Sequence, residues 1–552
     1  MSWRTFLLLF ASVSPLLAQR MELADVRQVL AQAVQEAQNL SLGANRVIAI
    51  TDREGYVLAV WDVNGAASPN PTPSLVADAI SKAGTAAYLS SNQHAFTSRT
   101  AAFIVQNHFP PAVENRPNGP LIGVNFSNMA FSDTNKYKAP SPLGTFPAPP
   151  IPGINNLASA TPADTFRSVP FTSLLTLPAA TSSPGGVPLF KNGILVGGVG
   201  VMGFADTPVT DFDIFSLSNI NERIALAAQA GYRPATALGG NNVAIDGVRL
   251  AYVVGSGSNN TVANPAAFLA SNGSAITFAD IDGVAGSADD GAVDYSPKAS
   301  PPAVVYPNPF GFTGTGSVPG ELRSAIRADP VAGTISGAAR LSAVEVDSIL
   351  RLAAERAMIT RAGIRLPRGQ IARVWISVVN NPAIDGVEPV VLGTYRTPDA
   401  TMFSWDVAVQ KARTALFFSR GLERGAPRAF SSRSVGFLAQ DSYPPGIKNT
   451  SPGPLSPFQV MFSLQGGEIP AAPINLNVPN GITIFPGGFP LYRNGVLIGA
   501  IGVSGDGIEQ DDIVGASGAR DFLAPPTSRA DNFAYQNARL PYAKFPRASS
   551  SF

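Results

Sequence analysis

The sequence predicts an α+β protein made of two copies of one domain, each an antiparallel sheet flanked by helices. Three observations carry that reading: a long internal repeat, hydrophobic spacing that alternates between helical and strand periods in the same order in both copies, and an Asn-Gly hairpin closing each copy. At 552 residues the chain is too long for one ordinary core. Gly (52) and Pro (48) together stay under a fifth of the chain, below the level of an unstructured low-complexity protein, and 45% hydrophobic residues supply ample surface to bury.

The repeat is read by aligning the chain with itself. PGGVPLFKNGILVGGVGVMG, from Pro184 to Gly203, returns as PGGFPLYRNGVLIGAIGVSG, from Pro486 to Gly505. Upstream, Lys82–Ala86 (KAGTA) corresponds to Lys411–Ala415 (KARTA), and AFTSRTAAFIVQNHFPP from Ala95 corresponds to AFSSRSVGFLAQDSYPP from Ala429. The spacing from Lys82 to Gly185 is 103 residues and from Lys411 to Gly487 only 76, which puts a Pro-rich insertion at about 134–184 of the first copy.

Each element follows in order. Leu23, Val26, Leu30, Val34 and Ala37 recur at helical spacing. Residues 46–51 and 56–61 are apolar runs around Asp52-Arg53-Glu54-Gly55, which reads as a hairpin. Helical patterns follow at 74–91 and 97–108, then an apolar strand at 121–126. The PGG element is two strands joined by Asn192-Gly193, or by Asn494-Gly495, because a two-residue type I′ turn needs positive φ at both positions. A last helix is expected over 211–230 and over 509–522. The organisation is therefore residues 20–232 and 339–525 as the two domains, a Gly/Asn/Ser-rich intervening segment at 233–338 with some strands, and a tail at 526–552.

Residues 1–18 carry an early cation, Arg4, an apolar stretch from Phe6 to Val13 and Leu16-Leu17-Ala18, the plan of a cleaved secretory signal. Its removal leaves 38 cations and 38 acids, so no global field gathers nucleic acid. No other apolar run approaches a membrane span, and a secreted or periplasmic protein is expected. The absence of Cys excludes disulfides, a thiol nucleophile and thiolate metal sites.

Thr51–Gly55, Lys82–Ala86, the closing Gly502-Val503-Ser504-Gly505 and the acidic start Glu509-Gln510-Asp511-Asp512 resemble the GlcG/HbpS-type haem-binding proteins. The resemblance spans about residues 20–230 and 340–525. It implies a profilin-like α+β fold, oligomers, and haem as the cofactor of some members. The second copy departs at its first hairpin, Asn380–Gly386.

Haem needs an apolar slot, an axial ligand and cations for its propionates. The two histidines, His94 and His108, both lie in the first copy, and with Arg99, Phe103 and Lys82 they form the candidate haem-binding set. The alternative reading makes His94 a loop residue, His108 a helix C-terminal residue, Lys82 a snorkelling lysine and Arg99 a structural tie. In the middle segment Asp280, Asp282, Asp289 and Asp290 alternate with glycines, a pattern that suits calcium's oxygen shell but lacks EF-hand spacing, so ordinary Asp-Gly turns compete. The repeated glycines of 197–203 lack the strand–turn–helix setting of a phosphate loop and read as close backbone packing.

Three functions follow. The first is a secreted, non-enzymatic protein binding haem or a related tetrapyrrole; the second is an extracellular interaction protein with no haem; the third is an enzyme acting on haem or a small organic acid. Because both copies carry the same elements, they are expected to pack as an intrachain pseudo-dimer, with a homo-oligomer as a further expectation.

Overall fold

A computed structural model describes residues 20–40, 46–64, 73–104, 109–110, 113, 119–121, 133, 183–203, 217–245, 247–280, 293–294, 303–307, 317–363, 370–420, 428–440, 442–447, 449–456 and 475–544. The expected signal, residues 122–126 of the expected strand and residues 134–182 of the Pro-rich insertion lie outside them.

The first copy opens with α1 (Leu23–Asn39), whose first turn is closed by Asp25 Oδ2 accepting the Glu22 backbone N–H at 2.8 Å. Val26, Val29, Leu30, Ala33, Val34 and Ala37 form its buried stripe. β1 (Val47–Asp52) and β2 (Val57–Asp62) then pair antiparallel. Asp52 makes the turn between them: its Oδ1 accepts the N–H groups of Glu54 (2.9 Å) and Tyr56 (2.8 Å), while Gly55 takes φ +83°. After α2 (Pro73–Leu89) and α3 (Ser98–Ile104) come β3 (Gly186–Lys191) and β4 (Ile194–Met202). Asn192 (φ 51°) and Gly193 (φ 78°) both sit in the left-handed region, as the type I′ turn requires. α4 (Ile220–Ala228) completes the copy. It starts later than position 211 because Asn219, whose side chain accepts the Glu222 N–H at 3.1 Å, caps it there; residues 211–216 lie outside the described set.

The intervening segment feeds both sheets. β5 (Ser274–Asp280) pairs with β2, with the short β6 (Val293–Asp294) parallel beyond it, while β7 (Ala303–Pro307) pairs with β8 (Ser317–Ser324). The second copy comprises α5 (Ala343–Ile359), β9 (Val374–Asn380), β10 (Val391–Arg396), α6 (Ser404–Ser419), α7 (Ser432–Leu438), β11 (Gly488–Arg493), β12 (Val496–Gly505) and α8 (Ile508–Gly518). The strand orders are β3-β4-β1-β2-β5-β6 and β11-β12-β9-β10-β8-β7. The same order in both confirms the α+β class and the duplication.

In each copy one helix lies directly on the sheet. A Cβ at Gly198 or Gly200 would run into the carbonyl oxygens of Ala83 and Ala79 in α2, and one at Gly502 into that of Ala408 in α6. The glycine repeat is therefore a packing surface, as read from the sequence.

A further unit repeats beyond the expected domain ends. Two short 3-10 turns and a small hairpin occur at 236–249 (Ala244–Ile245 with Val248–Arg249) and again at 526–539 (Ala534–Tyr535 with Ala538–Arg539). Each continues into a strap docked on its own copy. Thr97 and Thr100 donate to the carbonyls of Tyr252 (2.6 Å) and Ala251 (2.8 Å), and Ser431 and Ser434 donate to those of Tyr542 and Pro541.

Candidate functional site

The copies meet along a seam of charged and apolar contacts. Arg53, in the first copy's β1–β2 turn, is ion-paired with Asp399, whose carboxylate also accepts the Asn92 N–H at 3.0 and 3.1 Å. Glu54 of the same turn receives both terminal nitrogens of Arg323 from β8, at 2.8 and 2.7 Å. Arg323 also lies 5.0 Å over the Trp405 ring, which stacks on Trp375 at 4.6 Å between centroids. One continuous hydrophobic core runs from α3 and the first strap into the second copy.

A pocket opens at this seam. Its walls come from the first copy through Phe96, Ile104, Leu121 and Ile245, and from the second through Phe403, Val407, Phe485 and Ile508. It holds about 450 Å³ of empty space counted out to its mouth, of which the enclosed part admits only a few water-sized molecules. Among the described residues one ion pair lines it: Lys411 Nζ donates to Asp511 Oδ2 and to the Val503 carbonyl, each at 2.8 Å, and both side chains are almost fully buried. Val407 and Lys411 of α6 and Phe403, the residue that caps its start, recur at four-residue spacing, so the two apolar residues and the cation share one side of the helix.

The candidates named from the sequence are placed as follows. His94 is buried, with Nδ1 3.0 Å from Ser91 Oγ, Nε2 2.8 Å from the Leu89 carbonyl, and its ring 4.5 Å from that of Phe96. An axial-ligand role would have to break one of those two bonds. Arg99 forms a two-pronged ion pair with Glu222 of α4, Nε–Oε1 and Nη2–Oε2 both at 2.9 Å, and its Nη2 donates to the Leu217 carbonyl at 3.0 Å. Glu222 in turn accepts the Val254 N–H of the strap at 3.0 Å. Arg99 thus ties α3, α4 and the strap together, matching the structural alternative. Phe103 is a core residue, edge-on to Phe109 at 5.5 Å.

Lys82 is fully buried, with Nζ 3.2 Å from Met202 Sδ. Where Lys411 faces Asp511, the corresponding first-copy residue is Asn221: each borders the glycine (Gly185 or Gly487) that also touches the lysine. His108, Asp282, Asp289 and Asp290 lie outside the described residues; Asp280 ends β5. Among the described residues no cluster of three or more His, Cys, Asp or Glu could hold a metal, so nothing there supports calcium.

The family model for haem degrading protein HbpS-like matches residues 21–213 and 373–520, together more than half of the chain. The chain belongs to this HbpS-like family. Similar solved structures include a PduOC–haem complex (22% identity, covering 34% of this chain and 98% of that one, TM-score 0.23), HbpS (19%, 34% and 96%, 0.21) and Klebsiella pneumoniae ORFY (18%, 36% and 95%, 0.21). No curated protein matches.

The two HbpS-like copies build the pocket largely from residues that sequence reading did not single out for a site, namely Ile104, Leu121, Ile245 and Val407. Lys411 had a signal in its recurrence as the partner of Lys82, and Ser504, Gly505 and Asp511 had one in the motifs that carry the resemblance. The others read as core residues, since nothing local marks an apolar side chain that ends at a seam. No helix among the described residues is long and apolar enough to cross a membrane.

Proposed function

We propose that this protein binds haem or a related tetrapyrrole in the seam pocket, without turning it over, and that it acts after export from the cytoplasm. Support for the ligand comes from membership of a family described by haem chemistry and from a pocket whose walls suit a flat apolar ring. The single observation that carries the reading is the pocket's composition, apolar walls from both copies around a buried cation, Lys411. Phe96, Ile104, Leu121, Phe403 and Val407 would face the ring, and Lys411 would offer its charge to a propionate, in competition with Asp511. Among the described residues the lining contains no histidine, and both nitrogens of His94 are engaged. Because the enclosed space is narrow, entry requires the walls to part, which predicts slow association.

Adding haem to the purified full chain is expected to produce a Soret shift saturating at one equivalent per chain. Val407→Trp, which fills the pocket from α6, should remove that shift while leaving the circular dichroism unchanged, and His94→Ala should retain it. A Soret shift that survives Val407→Trp and disappears in His94→Ala would overturn the pocket assignment and restore the His94 site. The family description also favours a second reading, haem breakdown. A Soret band that forms and then decays in air with a reductant would select it over binding alone.

A further inference from the structure

Asp133 belongs to the first copy, twelve residues beyond the pocket-lining Leu121, yet its side chain is buried against the second. There it is ion-paired with Arg413 of α6, each side chain only 1% exposed. The Asp133 backbone N–H donates to Asp406 Oδ1 at 2.9 Å, and Asn480 Nδ2 donates to the same oxygen at 3.2 Å. Arg413 Nη1 donates to Asn480 Oδ1, and its Nη2 to Glu388 Oε1, both at 2.8 Å; the Pro389 carbonyl accepts from Nη2 at 3.0 Å. Asp133 and Glu388 thus meet one guanidinium, and Asp406 is held beside them through the Asp133 N–H and Asn480.

The arrangement is particular to this side of the seam. Counting back from the Lys411–Lys82 pair, the first-copy residues at the positions of Asp406 and Arg413 are Ala77 and Gly84. The second copy therefore carries a charged receptor for Asp133 that its twin lacks.

We propose that Asp133 and Asp406 form a proton-dependent latch between the two copies, in which Asp406 carries a proton while Asp133 is seated and the hold weakens once that proton leaves. Asp133 and Asp406 are both buried and held side by side through the Asp133 N–H, while Glu388, the most exposed of the three acids, is screened by water. Asp133 keeps the ion pair with Arg413, and its charge lies against Asp406, the carboxylate whose protonation burial and that charge favour. Burial and the Asp133 charge push the Asp406 carboxyl up to about 6, against the opposing hydrogen bonds from the Asp133 N–H and Asn480 and the attraction of Arg413. A carboxyl raised above its unfolded value contributes most below that unfolded value, 3.8, and its contribution is lost as pH rises through about 6. That difference corresponds to an about hundredfold change in the closed-over-open ratio. Asp133 follows the pocket wall in the chain and Asp406 adjoins the pocket residue Val407, so the latch sits beside the pocket, but it does not depend on haem being the ligand.

Hydrogen–deuterium exchange on the full chain, corrected for intrinsic rates, tests it through the peptides carrying Asp133 and residues 404–419. In the wild type the opening of these peptides is expected to rise about tenfold from pH 5 to pH 7.5, the part of the full change that lies in this window. Asp406→Asn, which stays uncharged, should hold it low at both pH values. Flat exchange in the wild type across that range overturns the latch whether or not the variant folds, as does an Asp406→Asn protein that still opens like the wild type. Asp133→Asn removes the charge that raises Asp406 and should move the midpoint to lower pH; an unmoved midpoint would also count against the pairing.

Discussion

Arg99→Ala is expected to lower the stability of the first copy by about 3–5 kcal/mol, the cost of leaving one partner of a buried pair without the other. Arg99 and Glu222 have side chains 0% and 1% exposed, so water cannot replace the lost guanidinium. The loss spreads through the strap, because Glu222 also holds the Val254 N–H. The second copy provides an internal control. Arg433 makes the corresponding bonds to Asp512 Oδ2 (3.0 Å) and Glu509 Oε2 (2.9 Å), but it is 17% and Glu509 32% exposed. Arg433→Ala should therefore cost clearly less, and denaturant unfolding of both variants would show the order. Equal losses would mean that burial is not what sets the strength of these ties.

Gly502→Val is the second large effect. The added side chain would meet the Ala408 carbonyl with the Ala412 amide close by, both backbone atoms of α6, so neither can swing away as a side-chain tip could. Overpacking of this kind costs about 3 kcal/mol or more when rigid elements must separate. α6 also carries Val407 and Lys411, so the variant is expected to lose ligand binding together with stability. Gly193→Ala is the contrast: its Cβ meets nothing within 4 Å, and only its φ of +78° penalises it, by about 1–2 kcal/mol. A melting temperature lowered more by Gly193→Ala than by Gly502→Val would contradict the packing account.

Much of the fold was legible because its signals are short-range. The Asn-Gly turns, the Asp52–Gly55 hairpin and the stripe on α1 each depend on residues within a few positions of one another. The first copy's last helix was drawn too long, because the Asn219 cap that starts it was not recognised. The sequence reading placed strands in the intervening segment but missed that the hairpin at 244–249 returns at 534–539, although both stretches carry Asn-x-Ala-x4-Arg-Leu-x-Tyr, at 242–252 and 532–542.

The site was much less legible. Scarcity in the sequence drew attention to His94, yet the chain folds its ring against Phe96 and engages both nitrogens locally. Arg99 was recognised as recurrent, and its partner lies 123 residues away on α4.

By itself, the sequence determined that the chain is duplicated, that each copy alternates helices and strands in one order, and that its glycine-rich strands serve close packing; these depend on periodicity and on side-chain volume, which are local properties. Only the tertiary structure decided that α6 presents Lys411 to the seam beside Asp511, that Ile245 and Val407 end on opposite walls of one pocket, and that Asp133 crosses to Arg413, 280 residues away. The physical reason is that burial and charge pairing depend on which surfaces meet. Two copies with nearly the same local pattern became unlike once Asp511 and Arg413 faced partners where Asn221 and Gly84 stand in the twin.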